Sequence, residues 1–315
     1  MQKKKFLCTG VIMADILATG LEKFPEHWEE TVQSERVVLS PGGGAANSAI
    51  AFACLGAAVD LLGKIGIDYL SDFLEAGLLE KHVGTAYLSK TTRKNTGVAL
   101  GLVHKNGKRC FVTEKGANEC LAEVNFMEIN LSVYHTLLIN GFFQFSSAEN
   151  TILAFTEKAS AQGITIGFDM ASWDSSGRWM QALLPFLPWI DYFFTNDAQL
   201  EQLTGEASSL KGAKYLLSLG VDTVIVKLGA RGCEVIQEAL HIKIPAPDLP
   251  VVDTTGAGDS FDAAYLLGIE KGWTHEVCAR FANVVAGLNC GKYGATGGVP
   301  EFEEALEAVK KIYAL

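Results

Sequence analysis

No stretch of this 315-residue chain stays apolar long enough to cross a bilayer. It has no C-x-x-C pair, no spacing suited to zinc, no internal repeat, no low-complexity tract and no domain linker, so small metal-stapled domains and repeat arrays are excluded. Basic residues are also scarce. Twenty-six lysines and arginines stand against 36 acidic residues, a formal charge of −10 and a pI near 5.2. That balance repels nucleic acid and anionic membranes, so neither is expected as a partner, and a small anion would need local attraction. The seven cysteines (Cys8, Cys54, Cys110, Cys120, Cys233, Cys278 and Cys290) are scattered and odd in number, and read as reduced thiols of a cytoplasmic protein.

Two familiar nucleotide signatures are missing as well. The Gly-Lys pairs at 63, 107 and 291 are followed by Ile65, Arg109 and Tyr293, not by the Ser or Thr of a Walker A loop, and no G-x-G-x-x-G opens a βαβ unit. A nicotinamide-binding Rossmann enzyme is thereby disfavoured. The N-terminus, MQKKKFLCTGVIMADILATG, sets three lysines before an apolar run as a signal peptide does. Asp15 interrupts that run and no A-x-A site follows, so the segment reads as a first β-strand.

What is present is a 49% hydrophobic chain, enough to bury the core of one large domain spanning 1–315. Short apolar runs alternate with helical patterns, as in KFLCTGVIM, AANSAIAFACLG, VDLLGKIG and YLSDFLEAGLLEKH, and again from VYHTLLINGF to DTVIVKLG. Such alternation predicts a doubly wound α/β fold, a mostly parallel sheet with helices on both faces. Two stretches break the rhythm: 30–40 and 95–116 have strand character without helices between, and Asn106-Gly107 is a hairpin signal. They predict a small β-sheet outside the main one, drawn from about 12–40 and 86–116, either a lid over a ligand site or an edge hairpin without function.

The stretch DTTGAGDSFDAAYLLG, 253–268, carries the strongest chemical signal. Phe261, Ala264, Tyr265, Gly268 and Ile269 fall at helical spacing, so a helix begins around Gly256 to Gly258. Unpaired N–H groups at its start, bare of Cβ at two glycines, form a local anion site in an acidic protein. Asp259 in that first turn is either a helix cap, assisted by Thr254 and Thr255, or a general base beside a bound phosphate. A second glycine cluster, PGGGAANSAIAFACLG at 41–56, also leads into a helix, with Gly42, Gly43 and Gly44 allowing close approach and Asn47 offering an amide. Asp15, set in an apolar strand, needs hydrogen-bond donors, either sugar hydroxyls or a local backbone turn.

Taken together, GVIMAD, GGGAAN, GKIGIDYLSDFL, FFTNDAQLEQLTG, VIVKLGARG and DTTGAGDSFDAAYLLG, in that order, resemble the ribokinase-like (PfkB) family of carbohydrate and nucleoside kinases across essentially the whole chain. The resemblance implies ATP as phosphoryl donor, Mg²⁺, and a sugar hydroxyl as acceptor. By matching position, Asp259 is the catalytic base, Gly256, Ala257 and Gly258 the anion hole, and Asp15, Gly43 and Asn47 the sugar-binding residues. Asn196, Lys227, Gly229, Gly232 and Asn283 are implied on the nucleotide side. Asp253, the Thr255 carbonyl and the turn at Gly294 are implied around K⁺ in those relatives that use it.

The chain departs from the family pattern in three places. Gln199 stands where a glutamate is common, with Asp197 as a compensating carboxylate that helical register turns elsewhere. Ser71 replaces a usual glycine, and the sugar-side residue near LLINGF is ambiguous, with Asn140 as its candidate. An ATP-dependent kinase of a small sugar or sugar acid is therefore expected, with a nucleoside kinase and a non-catalytic sugar-sensing relative as the alternatives, and with a homodimer through the lid as an opportunity.

Overall fold

The computed structural model describes residues 5–106, 108–142, 148–170 and 179–313. Among them, thirteen strands form two sheets. The larger consists of β1 (Lys5–Gly10), β4 (Val59–Ile65), β5 (Gly84–Lys90), β8 (Tyr134–Asn140), β9 (Thr165–Asp169), β10 (Tyr192–Asn196), β11 (Thr223–Lys227), β12 (Cys233–Ile236) and β13 (His241–Ile244), in the order β13-β12-β11-β10-β9-β8-β1-β4-β5. The smaller holds β2 (Met13–Leu21), β3 (Arg36–Gly42), β6 (Val98–His104) and β7 (Arg109–Glu114), in the order β3-β2-β6-β7. Pairing in the large sheet is parallel from β5 to β11 and antiparallel only at β12 and β13.

Strand periodicity distributes the core onto two faces. Phe6 and Cys8, Leu61, Leu138, Phe194 and Ile225 point to a layer filled by α1 (Gly44–Cys54), α2 (Tyr69–Glu80), α7 (Ala257–Glu270), α8 (His275–Asn289) and α9 (Phe302–Tyr313). Their neighbours Leu7, Leu62, Leu137, Phe193 and Val224 point to the opposite layer, made by α3 (Glu149–Ala161), α4 (Trp179–Leu183), α5 (Asp197–Thr204) and α6 (Ser209–Ser218). Adjacent Phe193 and Phe194 are both fully buried, one per layer, each contributing about 1.5–3 kcal/mol relative to exposure. The all-apolar strand runs of the sequence are the signature of this two-sided burial. In α1 the run from Ala45 to Phe52 is buried on every side rather than along one stripe, because small residues let α7 pack closely against it.

The small sheet is narrower than the sequence suggests. Residues 86–90, placed in the lid region by the range 86–116, belong to β5, the edge of the large sheet: Asp60 lies opposite Gly84 and Ile65 opposite Lys90. A half-exposed edge strand and a strand of a small sheet share one burial pattern, so periodicity cannot separate them. The hairpin between β6 and β7 pairs Val98 with Glu114 through Val103 with Arg109, and Asn106 Oδ1 accepts from the Lys108 N–H at 3.0 Å. Gly107 of the hairpin signal lies outside the described residues. All seven cysteines are unpaired, and no described helix is long and apolar enough to cross a membrane.

Candidate active site

The last residues of five parallel strands, Gly10, Asn140, Asp169, Asn196 and Lys227, lie along one edge of the large sheet. After β1 the chain winds to one side through β4 and β5, then returns to wind the other way from β8, so strand order reverses between β1 and β8. That is where open α/β sheets bind ligands. A cavity of about 920 Å³ opens there, walled by the strand ends, by the first turns of α1 and α7, and by Met13, Asp15, Ala99, Arg109 and Phe111 of the small sheet.

Asp259 stands in the first turn of α7. The helix is capped by Gly256 at φ 70°, where a Cβ would fall 2.0 Å from the Ala295 carbonyl oxygen, so only glycine fits. No side chain caps this terminus. Instead the Asp259 carboxylate accepts from the Asn47 amide at 2.8 Å and the Asn140 amide at 3.1 Å, while Ser48 Oγ donates to its backbone carbonyl at 3.2 Å. Burial, then the negative charge of Asp169, pushes its pKa up to about 6 against the opposing pull of Asn47, Lys227 and Asn140. A carboxylate held by two amides with its protonation poised near neutrality has the properties of a general base. Gly256, Ala257 and Gly258 line the same cavity, and the Ala257 N–H donates to the Thr254 carbonyl at 3.3 Å.

Asp15 lies on β2 opposite Ser40 and Ala99, 5% exposed. Burial, then repulsion from Asp259 and Asp253, raises its pKa to about 7. Among the described residues no hydrogen-bond donor meets its carboxylate, which is the arrangement expected of a group that waits for hydroxyl donors. Gly43 (φ 83°) caps α1 and lines the cavity beside it; a Cβ there would lie 2.5 Å from the Val11 carbonyl oxygen. Asn47 and Asn140 are both buried, and their Oδ1 atoms have no partner among the described residues.

On the far side, Asn196, Lys227, Gly229, Gly232 and Asn283 line the same cavity. The Lys227 ammonium does not reach freely into it. It contacts Asp169 and lies 2.9 and 3.1 Å from the Asp262 oxygens, beneath Gly258. Burial works against its charge, but Asp169 and Asp262 more than offset this and hold its pKa above the ordinary lysine value. Asn283 donates to the carbonyls of Ile244 and Pro245 at 3.3 and 3.4 Å, fixing the turn that carries Ala246, Pro247 and Leu249 against the small residues Ala286 and Gly287. These residues make an apolar slot in the cavity wall. Asp253, 2% exposed, gathers the next turn. Its Oδ1 accepts from the Thr255 N–H at 2.9 Å and hydroxyl at 2.7 Å, and its Oδ2 accepts from the Gly294 N–H at 3.0 Å.

The profile of the pfkB family carbohydrate kinases matches residues 3–301. The chain belongs to the PfkB family. It is 29% identical over 285 residues to the ribokinase of Staphylococcus aureus, covering 87% of this chain and 90% of that one. Its fold is similar to that of Arabidopsis thaliana ribokinase solved with ribose and ATP, with TM-score 0.82, 24% identity, and 98% and 99% of the two chains covered. It is similar to the same degree, TM-score 0.82 at 20% identity over 98% and 99%, to an E. coli chain solved with ATP and Mg²⁺.

The points where this PfkB chain departs from the family pattern have local explanations. Gln199 completes a capping box at the start of α5: its Oε1 accepts from the Asn196 N–H at 3.0 Å, and Asn196 Oδ1 accepts from the Gln199 N–H at 2.8 Å. Asp197 faces away and pairs with Arg231 over a separate surface hollow. Ser71 sits at the same position of α2 and completes the box with Asp68. Three residues of the site, Arg109, Asp169 and Asp262, carry no role read from the sequence. Arg109 of β7 crosses from the small sheet to donate to Thr254 Oγ1 at 2.6 Å and Thr255 Oγ1 at 3.2 Å. Its only sequence signal is a charge in register with the inward face of an exposed strand. Asp169 ends β9 outside every motif, and Asp262 lies within the 253–268 stretch without a role assigned to it there.

Proposed function

We propose that this chain transfers the γ-phosphoryl group of ATP to a hydroxyl of a small sugar or sugar acid. The observation that carries the reading is Asp259, which caps nothing and instead presents an amide-held carboxylate, beside a helix start with glycine at 256 and 258, to the cavity that also holds Asp15. Asp15, Gly43 and Asn47 orient the acceptor. Asp259 takes the hydroxyl proton as the oxygen lone pair forms a bond to the γ-phosphorus, the bond to the β-phosphate oxygen breaks, and its electron pair leaves with ADP. The N–H groups of Gly256, Ala257 and Gly258 stabilise charge on the transferring group, and the slot between Pro247 and Gly287 receives the base.

Among the described residues no cluster of three or more His, Cys, Asp or Glu side chains could cage a metal. Mg²⁺ therefore fits here as a cation carried by the nucleotide phosphates, near Asn196 and Gln199, where it would neutralise phosphate charge. The convergence of Asp253, Thr255 and Gly294 suits a monovalent cation such as K⁺, which would add positive charge behind the anion hole. The small sheet serves as the lid. Its outer face carries Val37, Leu39, Leu100 and Val112, all exposed, a surface that a second copy of the chain would cover.

One observation favours a second acceptor class. Phe111, 40% exposed on the inner face of the small sheet with Met13 and Ala99, offers a planar ring a stacking surface, as a nucleoside kinase requires. ADP formation from MgATP, measured against separate panels of free sugars, sugar acids and nucleosides, tests both readings. Activity with sugars sustains the first, activity restricted to nucleosides selects the second, and ATP left intact across all panels refutes a kinase.

A further inference from the structure

The walls of the cavity are acidic. Asp15, Asp169, Asp248 and Asp259 line it, and among the described residues only Arg109 and Lys227 line it with positive charge. A polyphosphate entering this space meets more negative than positive groups. Lys227 cannot correct the balance, because its ammonium is already shared by Asp169 and Asp262.

Arg109 is differently placed. It belongs to the small sheet, yet a single nitrogen, Nη1, makes both of its hydrogen bonds, to the hydroxyls of Thr254 and Thr255, and lies 3.6 Å from Asp253 Oδ1. Those threonines immediately precede the Gly256 turn. The guanidinium thus stands at the entrance to the anion hole, a third exposed, with further N–H donors beyond those it uses. Threonine hydroxyls are weak, exchangeable acceptors, and a phosphate oxygen is a stronger one.

We propose that Arg109 is a further catalytic residue, which exchanges the Thr254 and Thr255 hydroxyls for non-bridging oxygens of the transferring phosphoryl group when the small sheet is closed over the site. The inference rests on the kinase reading above. Arg109 stays charged throughout the transfer: no proton or bond passes to it, the hydroxyl proton goes to Asp259, and the electron pair of the breaking bond leaves with ADP. Its part is to counter charge that gathers on the phosphoryl oxygens in the transition state. Because it arrives from the lid, that charge is complete only in the closed form, which couples closure to chemistry.

The alternative is a mechanical latch, in which the two threonine bonds merely hold the small sheet down. Arg109→Gln separates the two, because an amide still donates to hydroxyls but carries no charge. Turnover is expected to fall about 10²–10³-fold in both Arg109→Ala and Arg109→Gln, with acceptor KM within about threefold of wild type, and Arg109→Lys is expected to recover part of the loss. A latch predicts near-wild-type turnover for Gln and a raised acceptor KM for Ala, and that result would overturn the proposal. Calorimetric titration with inorganic tripolyphosphate and MgCl₂ supplies a readout free of turnover. Binding weakened at least about tenfold in Arg109→Gln supports the proposal, and equal binding overturns it. If wild type binds tripolyphosphate in this Arg109-dependent way yet turns over no acceptor, the kinase reading has failed while the contact stands.

Discussion

Asp68 and Asp259 each stand at the start of a helix, and the two carboxylates have opposite fates. Asp68 precedes α2 and accepts from the Ser71 N–H at 2.9 Å, the Thr96 N–H at 2.7 Å and the Thr96 hydroxyl at 2.9 Å. Burial tends to raise its pKa, but the Thr96 and Ser71 bonds outweigh this and hold it below the ordinary value. Asp259, in the first turn of α7, receives no backbone donor at its carboxylate, and burial with Asp169 drives its pKa the other way. The same residue type near the same kind of terminus is in one place fully used by structure and in the other kept available. Availability has an energetic sign. A lowered carboxylate pKa favours the fold above the unfolded value and loses that contribution as pH falls; a raised one favours the fold at low pH and loses it as pH rises through the folded pKa.

The widest separation between the two sites should come from removing one charge at each. Asp259→Asn is expected to lose about two to four orders of magnitude in turnover, the scale of general base catalysis. It should also raise Tm at pH 8, by about 2–4 °C, because the charge it removes is unfavourable in the folded state above pH 6. For the wild type, kcat/KM should rise with pH through the region from about 6 to 7 where Asp259 and Asp15 ionise. Turnover retained in Asp259→Asn, or a flat profile, would return Asp259 to the class of Asp68.

Asp15 belongs with Asp259 in this comparison, a buried carboxylate with a raised pKa and no backbone donor among the described residues, but at the acceptor end. Asp15→Ala should weaken acceptor binding about 10–100-fold, the scale of one or two charge-assisted hydrogen bonds, and leave nucleotide affinity within about twofold. Separate titrations with acceptor and with ADP check this. Loss of ADP binding with acceptor binding intact would reverse the orientation of the site.

What was legible beforehand follows the same divide between local and long-range. The α7 start and its glycine turn can be read from glycine placement and helical spacing within sixteen residues, and Gly43 with Asn47 from a similar cluster, because backbone geometry there is dictated locally. The alternation that implies a parallel sheet is likewise repeated along the chain. Asp169 and Arg109 reach the site only because β9 ends beside it and β7 folds over it, which depends on strand order that no short window encodes. Residues 86–90 differ from the expected lid for the same reason: their burial pattern is local, their partner is not.

Breaking the structural member of the pair should affect stability alone. Asp68→Ala removes a capping box and the tie to Thr96 that joins α2 to the segment entering β6, at an expected cost of about 1–2 kcal/mol and a Tm lower by about 2–6 °C. Turnover at 25 °C should stay within about twofold. Thermal melts beside steady-state rates decide the matter, and a hundredfold loss of turnover would mean that α2 communicates with the site.

The smallest expected effect is at Gln199, where a structural cap and a functional vacancy for a carboxylate coincide. Its side chain folds back to accept from the Asn196 N–H while still lining the cavity. Glutamate in that position also completes a capping box, and its charge near the start of α5 favours the helix dipole, so Gln199→Glu should fold at least as stably as the wild type. A carboxylate attracts Mg²⁺ or its waters where a neutral amide cannot, so the variant should reach half-maximal activation at about two- to threefold lower Mg²⁺ at fixed ATP. The cap competes for the same oxygens, which is why the gain is small: an oxygen bonded to the Asn196 N–H is turned from the phosphates. Superimposable magnesium curves with a raised Tm would place Gln199 wholly with Asp68, as a cap at the border of the site. Tightened activation with an unchanged Tm would place it with Asp259.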